Sequence, residues 1–381
     1  MRSGQDQRWM QRALRLAEKG LFTAAPNPRV GCSIVKGGVE IGAGWHPGVG
    51  EPHAEVFALR EAGTAARGAT AYVNLEPCSH FGRTPPCADA LVAAQVARVV
   101  VGNIDPDPRV AGRGVEKLRA AGIEVITEVL AEACDALNQG FFKRMHTGRP
   151  LVRLKIAHSL DGRTAMASGE SQWITGEAAR ADVQYWRARS CVVLTGADTL
   201  LHDQARLKVR PDLLKRRWPD HPPLQGPKRV VVDSQLRVPP DHPFYADVSD
   251  VLVCTAADQS GPVLEALTHR GIQVISLPRR GEHLDLDELL LALGERGVNE
   301  VLVETGPRLS GAFIRQHLID EVVLYMAPRW LGSRGLPVVD LPLDQMADSL
   351  GLQIREQRQF GSDWRIIAVP EKHSASAAAA D

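Results

Sequence analysis

The sequence has no surplus of charge: 45 Lys and Arg are matched by 45 Asp and Glu in 381 residues. A surface built to neutralise a nucleic-acid backbone would be basic, so that class is disfavoured and small-molecule substrates are favoured. An uninterrupted apolar run of the roughly 18 residues needed to cross a bilayer is also missing. Residues 1–19 place Trp9, Met10, Ala13, Leu14 and Ala17 at helical spacing among charged residues, which reads as a docking helix and not as a secretory signal. The expectation is a cytoplasmic protein with no membrane or nucleic-acid partner. Cysteine is sparse. Cys32, Cys78, Cys87, Cys134, Cys191 and Cys254 are too few for a disulfide scaffold in a chain this long, and a reducing compartment leaves thiols free for metal. Most of the six read as small buried apolar residues.

Apolar residues make up 44% and charged residues 24%, enough to bury a core, and the length exceeds one ordinary domain. Up to about residue 147, strands at 31–35, 69–75 and 97–101 alternate with helices at 54–62 and 88–95, which predicts a layered α/β domain. The turn formers at 146–150 precede a new apolar strand, 151–157, and place the boundary there. Short apolar runs follow at 191–194, 229–232, 251–254, 274–277, 301–303 and 322–326 and imply a second sheet-centred domain. Segments 352–359 and 364–369 flank Gly361-Ser362-Asp363 as a closing hairpin at the sheet edge, which favours a mixed sheet. The expected division is 1–147, 148–370 and a disordered tail, 371–381. The segment 211–227, rich in Pro, Arg and Lys and without periodicity, reads as a surface insertion.

His53-Ala54-Glu55 opens a helix, and Cys78 lies 25 residues beyond His53. Cys87 follows at the start of another helix, where thiolate is favoured. One imidazole and two thiolates form a three-ligand zinc set, and a fourth position left for water marks a catalytic site. Residues two apart in a regular helix point about 200° apart, so His53 must sit at the very start of its helix if Glu55 is to reach the same water. The pattern H-x-E followed by Pro-Cys is that of zinc deaminases, but eight residues separate the cysteines where two are usual. A closed structural zinc site completed by His80, His46 or Cys32 fits the same residues. So do two buried thiols with a surface histidine, and Fe²⁺ suits the donors as well.

Pro26-Asn27-Pro28-Arg29-Val30-Gly31-Cys32, the loop Gly42-Ala43-Gly44-Trp45-His46, His53-Ala54-Glu55 and the long motif from Pro77 to Cys87 together resemble the deaminase half of the bifunctional riboflavin-biosynthesis deaminase/reductases. The extended cysteine spacing matches that family's own form. In the second half no G-x-G-x-x-G occurs. The strand Val301-Leu302-Val303 is instead followed by Glu304-Thr305-Gly306-Pro307-Arg308-Leu309-Ser310-Gly311 and a helix, a candidate phosphate cradle as well as a plain connection. The run from Lys155 to Arg163, the run from Gly169 to Thr175, and Gly196 to Leu200 with Asp203 resemble the family's reductase half.

The resemblance implies a cytidine-deaminase-like α/β/α domain and a dihydrofolate-reductase-like mixed-sheet domain. It implies Glu55 as catalytic, His53, Cys78 and Cys87 on zinc, and Asn27, His46 and His80 as candidates for holding the substrate. For NADPH it implies Ala157, Trp173, Thr199, Asp203, Ser234, Gly306, Pro307, Arg308, Leu309, Ser310, Gly311 and Ala312, with Ser234 and Arg237 toward the 2′-phosphate. For substrate it implies Ser171, Arg187, Leu207, Arg210 and Glu304, the arginines suiting a ribose 5′-phosphate and Glu304 sugar hydroxyls. The implied reactions are hydrolytic deamination of a diaminopyrimidinone ribosylamine phosphate, then reduction of its ribosyl group to a ribityl chain. The expected partners are that small-molecule pyrimidine ribosyl phosphate and further copies of the chain, as a homo-oligomer. Two other readings use the same residues: a nucleic-acid base deaminase with an RNA-binding half, disfavoured by the neutral charge, and a zinc- and nucleotide-binding protein without turnover.

Overall fold

A computed structural model describes residues 2–81, 85–203, 205–215, 218–219 and 226–371. Gly82, Arg83 and Thr84 of the long cysteine motif, most of the expected tail and parts of 211–227 lie outside the described residues. The chain divides into two units that change over between Pro150 and Leu151, with Gly297–Asn299 grouping with the first.

In the first unit, helix α1 (Arg2–Ala17) precedes strands β1 (Gly31–Lys36) and β2 (Val39–Trp45). Helix α2 (Ala54–Ala62), β3 (Thr70–Leu75), α3 (Cys87–Ala93), β4 (Arg98–Asn103), α4 (Arg113–Ala120), β5 (Glu124–Ile126) and α5 (Ala131–Thr147) follow. The sheet order is β2-β1-β3-β4-β5, with β3, β4 and β5 parallel and β1 antiparallel to both its neighbours. Successive strand residues point to opposite faces. Cys32, Ile34, Ala71, Val73, Val99 and Val101 meet Ala54 and Ala58 of α2, Leu91 of α3 and Leu118 of α4 on one side. On the other side Val35, Tyr72 and Val100 meet Met10 and Ala13 of α1 and Cys134 of α5. Burial on both faces is why these strands read as continuous apolar runs.

The expected loop at 42–46 is mostly strand. Gly42 and Gly44 lie in β2, where a Cβ would stand 2.2 Å from the carbonyl oxygens of Ala58 and Ala54. These glycines serve close packing of α2 on β2 and not a turn. The expected helix 88–95 is α3, one residue earlier at its start.

The second unit begins with β6 (Leu151–Ser159), β7 (Arg163–Ala165), α6 (Glu177–Arg189), β8 (Val192–Gly196), α7 (Ala197–Asp203), α8 (Pro211–Lys215) and β9 (Lys228–Val232). It continues with β10 (Val251–Ala256), α9 (Pro262–His269), β11 (Gln273–Leu277), the short pair β12 (Arg279–Arg280) and β13 (His283–Leu284), and α10 (Leu286–Glu295). Strand β14 (Glu300–Val303), α11 (Pro307–Arg315), β15 (Glu321–Ala327), β16 (Leu336–Pro337), β17 (Leu352–Phe360) and β18 (Asp363–Pro370) complete it. The nine-stranded sheet runs β11-β10-β9-β8-β14-β6-β15-β18-β17. It is parallel from β11 to β15, and the closing hairpin β17–β18 is antiparallel, so the sheet is mixed. Ala179, Val183 and Trp186 of α6, Leu200 of α7 and Leu267 of α9 share one core with Val193, Val231, Val253, Leu302, Val323 and Ile367 of the strands.

The segment 211–227 is not wholly irregular. Its first five residues form α8, which buries Leu214, and the Trp218 ring stacks on Tyr185 of α6 at 4.6 Å between ring centres.

Candidate functional site

His53 is the N-cap of α2, its backbone extended at φ −73° and ψ 164°. Because residue 53 is not yet helical, its imidazole escapes the opposition that a regular helix would impose on residues two apart, and it shares a side with Glu55 in the first turn. Cys78 lies in the loop after β3, and Cys87 is the first residue of α3. His53 Nδ1 stands 3.2 Å from Cys87 Sγ and 3.6 Å from Cys78 Sγ. The Cys87 backbone N–H donates to Cys78 Sγ at 3.2 Å. All three ligand atoms lie within 4.8 Å of one another, and no other such cluster occurs among the described residues.

Glu55 is 3% exposed, and its Oε2 has no hydrogen-bond partner among the described residues. Burial raises its carboxyl above the ordinary value, against the pull of His53. The Cys78 thiol is drawn down to about 4, chiefly by the hydrogen bond from the Cys87 thiol, with His53 adding to it. Cys87 is pushed up because it shares its proton with Cys78 and is buried. One low-pKa thiol, one buried thiol, an imidazole and an orphaned carboxylate oxygen fit a zinc ion with a water beside it.

His46 is buried next to this cluster, its ring edge-on to His53 at 5.4 Å between ring centres. Its Nδ1 faces the Pro52 carbonyl at 3.1 Å and must donate, so Nε2 accepts from Asn27 Nδ2 at 2.9 Å. Burial lowers its pKa, in keeping with a neutral ring. His80 is partly buried, with Nδ1 unpartnered among the described residues. Sequence reasoning missed the buried carboxylates Glu76, Asp105 and Asp107 around this site. The signals available were Glu76 directly before Pro77-Cys78 and the Asp105-Pro106-Asp107-Pro108 run after β4.

In the second unit the candidates gather where parallel strands end, the crevice that open α/β sheets use for ligands. Glu304 follows β14, Arg187 lies on α6 and Lys155 on β6. Arg187 donates through Nε and Nη2 to the two Glu304 oxygens at 2.5 and 2.9 Å, and through Nη1 to the Lys208 carbonyl at 3.0 Å. Lys155 Nζ is 3.5 Å from Glu304 Oε2. Burial alone would raise the Glu304 carboxyl, but Arg187 and Lys155 outweigh it and bring it to about 2. Burial lowers Lys155.

Gly306 is the N-cap of α11, and Pro307, Arg308, Leu309, Ser310, Gly311 and Ala312 form its first turns. Ser310 Oγ is buried without a partner among the described residues. Gly196, at the end of β8, leaves room for Leu309 and Thr305, each of which a Cβ would meet at 3.2 Å. Thr199 lies in α7 near Gly306, and Ser234 follows β9. Arg237 and Arg308 both turn to Asp198, at 2.8 and 4.0 Å. A helix N-terminus, an orphaned hydroxyl and two arginines suit the phosphates of a dinucleotide such as NADPH. Ser171 Oγ donates to Asp203 Oδ1 at 3.3 Å, and Trp173 is half exposed under the Arg180 guanidinium. Ala157 lies on β6 opposite Tyr325 of β15, and Leu207 is buried with φ +53°. The backbone N–H of the exposed Arg210 donates to Gln184 Oε1 at 2.8 Å, and its carbonyl accepts from Leu213 and Leu214 at 3.1 and 3.2 Å.

Residues 150–366 match the RibD C-terminal domain, and residues 3–103 match the cytidine and deoxycytidylate deaminase zinc-binding region. The chain is 47% identical over 363 residues to the riboflavin biosynthesis protein RibD of Escherichia coli strain K12, covering 94% of this chain and 98% of that protein. Among solved structures, Acinetobacter baumannii RibD superposes with a TM-score of 0.89 at 45% identity, over 97% of this chain and all of the other. A diaminohydroxyphosphoribosylaminopyrimidine deaminase/5-amino-6-(5-phosphoribosylamino)uracil reductase from Thermotoga maritima follows at 0.84 and 32% identity, with 97% and 100% covered.

Proposed function

Because the chain belongs to the RibD family of riboflavin-biosynthesis proteins and is a bifunctional deaminase and reductase, we propose that residues 1–147 form its zinc-dependent deaminase domain and 148–370 its NADPH-dependent reductase domain. The first substrate is 2,5-diamino-6-ribosylamino-4(3H)-pyrimidinone 5′-phosphate. Its deamination gives 5-amino-6-(5-phosphoribosylamino)uracil, whose ribosyl group the second domain reduces to the ribityl form. The observation that carries this reading is the convergence of His53, Cys78 and Cys87 within 4.8 Å beside a buried, unpartnered Glu55 oxygen.

In the first step, His53, Cys78 and Cys87 hold the zinc, which when bound supplies Lewis acidity that makes water nucleophilic near neutral pH. Glu55 takes a proton from the attacking water and passes it to the ring nitrogen, then carries the remaining proton of the newly added hydroxyl to the amino group, so that the C–N bond breaks, ammonia leaves and the ring carbonyl forms. Its raised pKa suits both acceptance and return of that proton. Asn27 and His46, fixed on one another, and His80 orient the ring and phosphate.

In the second step the reduced nicotinamide supplies a hydride, and the protein aligns donor and acceptor. Gly306, Pro307, Arg308, Leu309, Ser310, Gly311 and Ala312, with Ala157, Trp173, Thr199, Asp203 and Ser234, hold the cofactor, Arg237 turning toward its 2′-phosphate. Ser171, Arg187, Leu207, Arg210 and Glu304 hold the substrate. Arg187 is already committed to Glu304, so it orients that carboxylate toward sugar hydroxyls, while the exposed Arg210 meets the 5′-phosphate.

We further infer a cytoplasmic homo-oligomer. A reducing compartment keeps Cys78 and Cys87 available to metal. Strand β17 is an edge strand exposed at eight of its nine positions, including Leu352 and Ile354, a surface that a second copy can pair with. Metal analysis combined with sedimentation of the full chain tests both readings. The expected result is about one zinc per chain, lost in His53→Ala, on a species larger than the monomer. Wild-type protein without bound metal contradicts the zinc site, and a monomer at micromolar concentration contradicts the oligomer.

A further inference from the structure

The segment that carries Cys78 is tied to a neighbouring loop by a residue to which no role has been given. Glu76 lies just beyond β3, two residues before Cys78, and is 4% exposed. It has no cationic partner among the described residues. Its oxygens accept four backbone N–H groups instead: Oε1 from Gly114 at 2.9 Å and Val115 at 3.1 Å, Oε2 from Asp105 at 3.1 Å and Gly112 at 2.9 Å. Each of its two oxygens thus accepts two backbone donors.

Three of those donors are the orphan amides at the start of α4. A helix ordinarily satisfies them with a side chain at its own N-cap, but the N-cap here is Gly112, at φ +86°, which has none. The cap comes from Glu76, between the end of β3 and the metal-cluster residue Cys78. The fourth donor, Asp105, opens a loop in which each carboxylate fixes a later residue: Asp105 Oδ1 accepts the Asp107 N–H and Asp107 Oδ1 accepts the Arg109 N–H, each at 2.9 Å. The packing is equally tight, since a Cβ on Gly114 would stand 2.0 Å from the Pro77 carbonyl oxygen.

We propose that Glu76 is a positioning residue of the deaminase, its carboxylate locking residues 105–115 against the Pro77-Cys78 segment so that the metal cluster and the bordering loop meet the substrate in one fixed arrangement. The inference rests on the reading of His53, Glu55, Cys78 and Cys87 as the deaminase centre. Capping by a distant carboxylate secures what a local N-cap could not, because it couples the loop to the ligand segment itself.

The test is the full chain with Glu76→Gln and Glu76→Asp, assayed well below its melting temperature. Glutamine offers one oxygen and turns an NH₂ toward the donors, so at least two of the four amides lose their acceptor. The expected result for Glu76→Gln is wild-type zinc content, unchanged NADPH oxidation on the deaminated substrate, and a deaminase kcat/KM lower by on the order of 10–100-fold, the size of effect that follows small misplacement. Glu76→Asp, which restores the charge, recovers part of that loss. Unchanged deaminase kcat and KM in Glu76→Gln, with only a lower melting temperature, overturns the proposal. So does loss of zinc together with activity, which would make Glu76 part of the metal site's framework alone.

His53→Ala is measured alongside. If it still binds zinc and releases ammonia, the assignment of the centre has failed and the Glu76 proposal falls with it. Should Glu76→Gln not accumulate as folded protein, wild-type amide exchange decides. The amides of Asp105, Gly112, Gly114 and Val115 then exchange as slowly as those of β3, and exchange at the rate of exposed loops overturns the proposal.

Discussion

Glu304 is 7% exposed between Arg187 and Lys155, and the two cations hold its carboxyl at about 2 against an ordinary 4.5. A carboxyl depressed on folding adds stability that is present above its unfolded pKa and is lost as pH falls through the folded value. The window is therefore about pH 4.5 down to 2, and the contribution at neutral pH is about 3 kcal/mol at the scale of 1.36 kcal/mol per unit. Urea unfolding of the reductase unit is expected to weaken across that window in wild type, and more shallowly in Glu304→Gln. Equal slopes in the two proteins would contradict the coupling. At this scale the convergence of His53, Cys78 and Cys87 was legible in the sequence, because metal ligation needs those residue types at workable spacings. Glu76 was not legible: a carboxylate satisfied by four backbone amides leaves no charged partner to find. Nor was the pairing of Arg187 with Glu304, 117 residues apart.

Among the elements, β2 shows most plainly what residue patterns hide. Gly42 and Gly44 look like loop residues, yet they let the backbone of α2 lie directly on the strand. Gly44→Ala would place a Cβ 2.2 Å from the Ala54 carbonyl and 2.7 Å from the Ala58 nitrogen, both backbone atoms that move only with the helix. Since His53 caps α2 and Glu55 lies in its first turn, the expected outcome is a destabilisation of about 1–3 kcal/mol, weaker zinc retention under a chelator and reduced ammonia release, with NADPH oxidation intact. A variant with wild-type melting and zinc retention would contradict this packing. The hairpin β17–β18 was legible from its flanking runs and central Gly361, and the mixed sheet followed from it. Helix α8 was not, because a single turn is too short for periodicity to register; burial of Leu214 and the stacking of Trp218 on Tyr185 fix that segment by tertiary contact.

Across the whole molecule, the deaminase candidates His53, Glu55, Cys78 and Cys87 fall in the first unit, and the reductase candidates Lys155, Arg187 and Glu304 fall in the second. The order of motifs along the chain made two activities legible, as it did His53 and Cys87 at helix starts and Glu304 after a strand, whereas the closing of Arg187 and Lys155 on Glu304 came only from the fold. In the proposed mechanism Glu55 moves protons for deamination alone. The measurement that tests it most directly is a paired assay of the full chain, wild type against Glu55→Ala, following ammonia release from the diaminopyrimidinone phosphate and NADPH oxidation on the deaminated intermediate separately. Glu55→Ala is expected to keep its zinc and its NADPH oxidation and to release no ammonia. Ammonia release at the wild-type rate in that variant would contradict it.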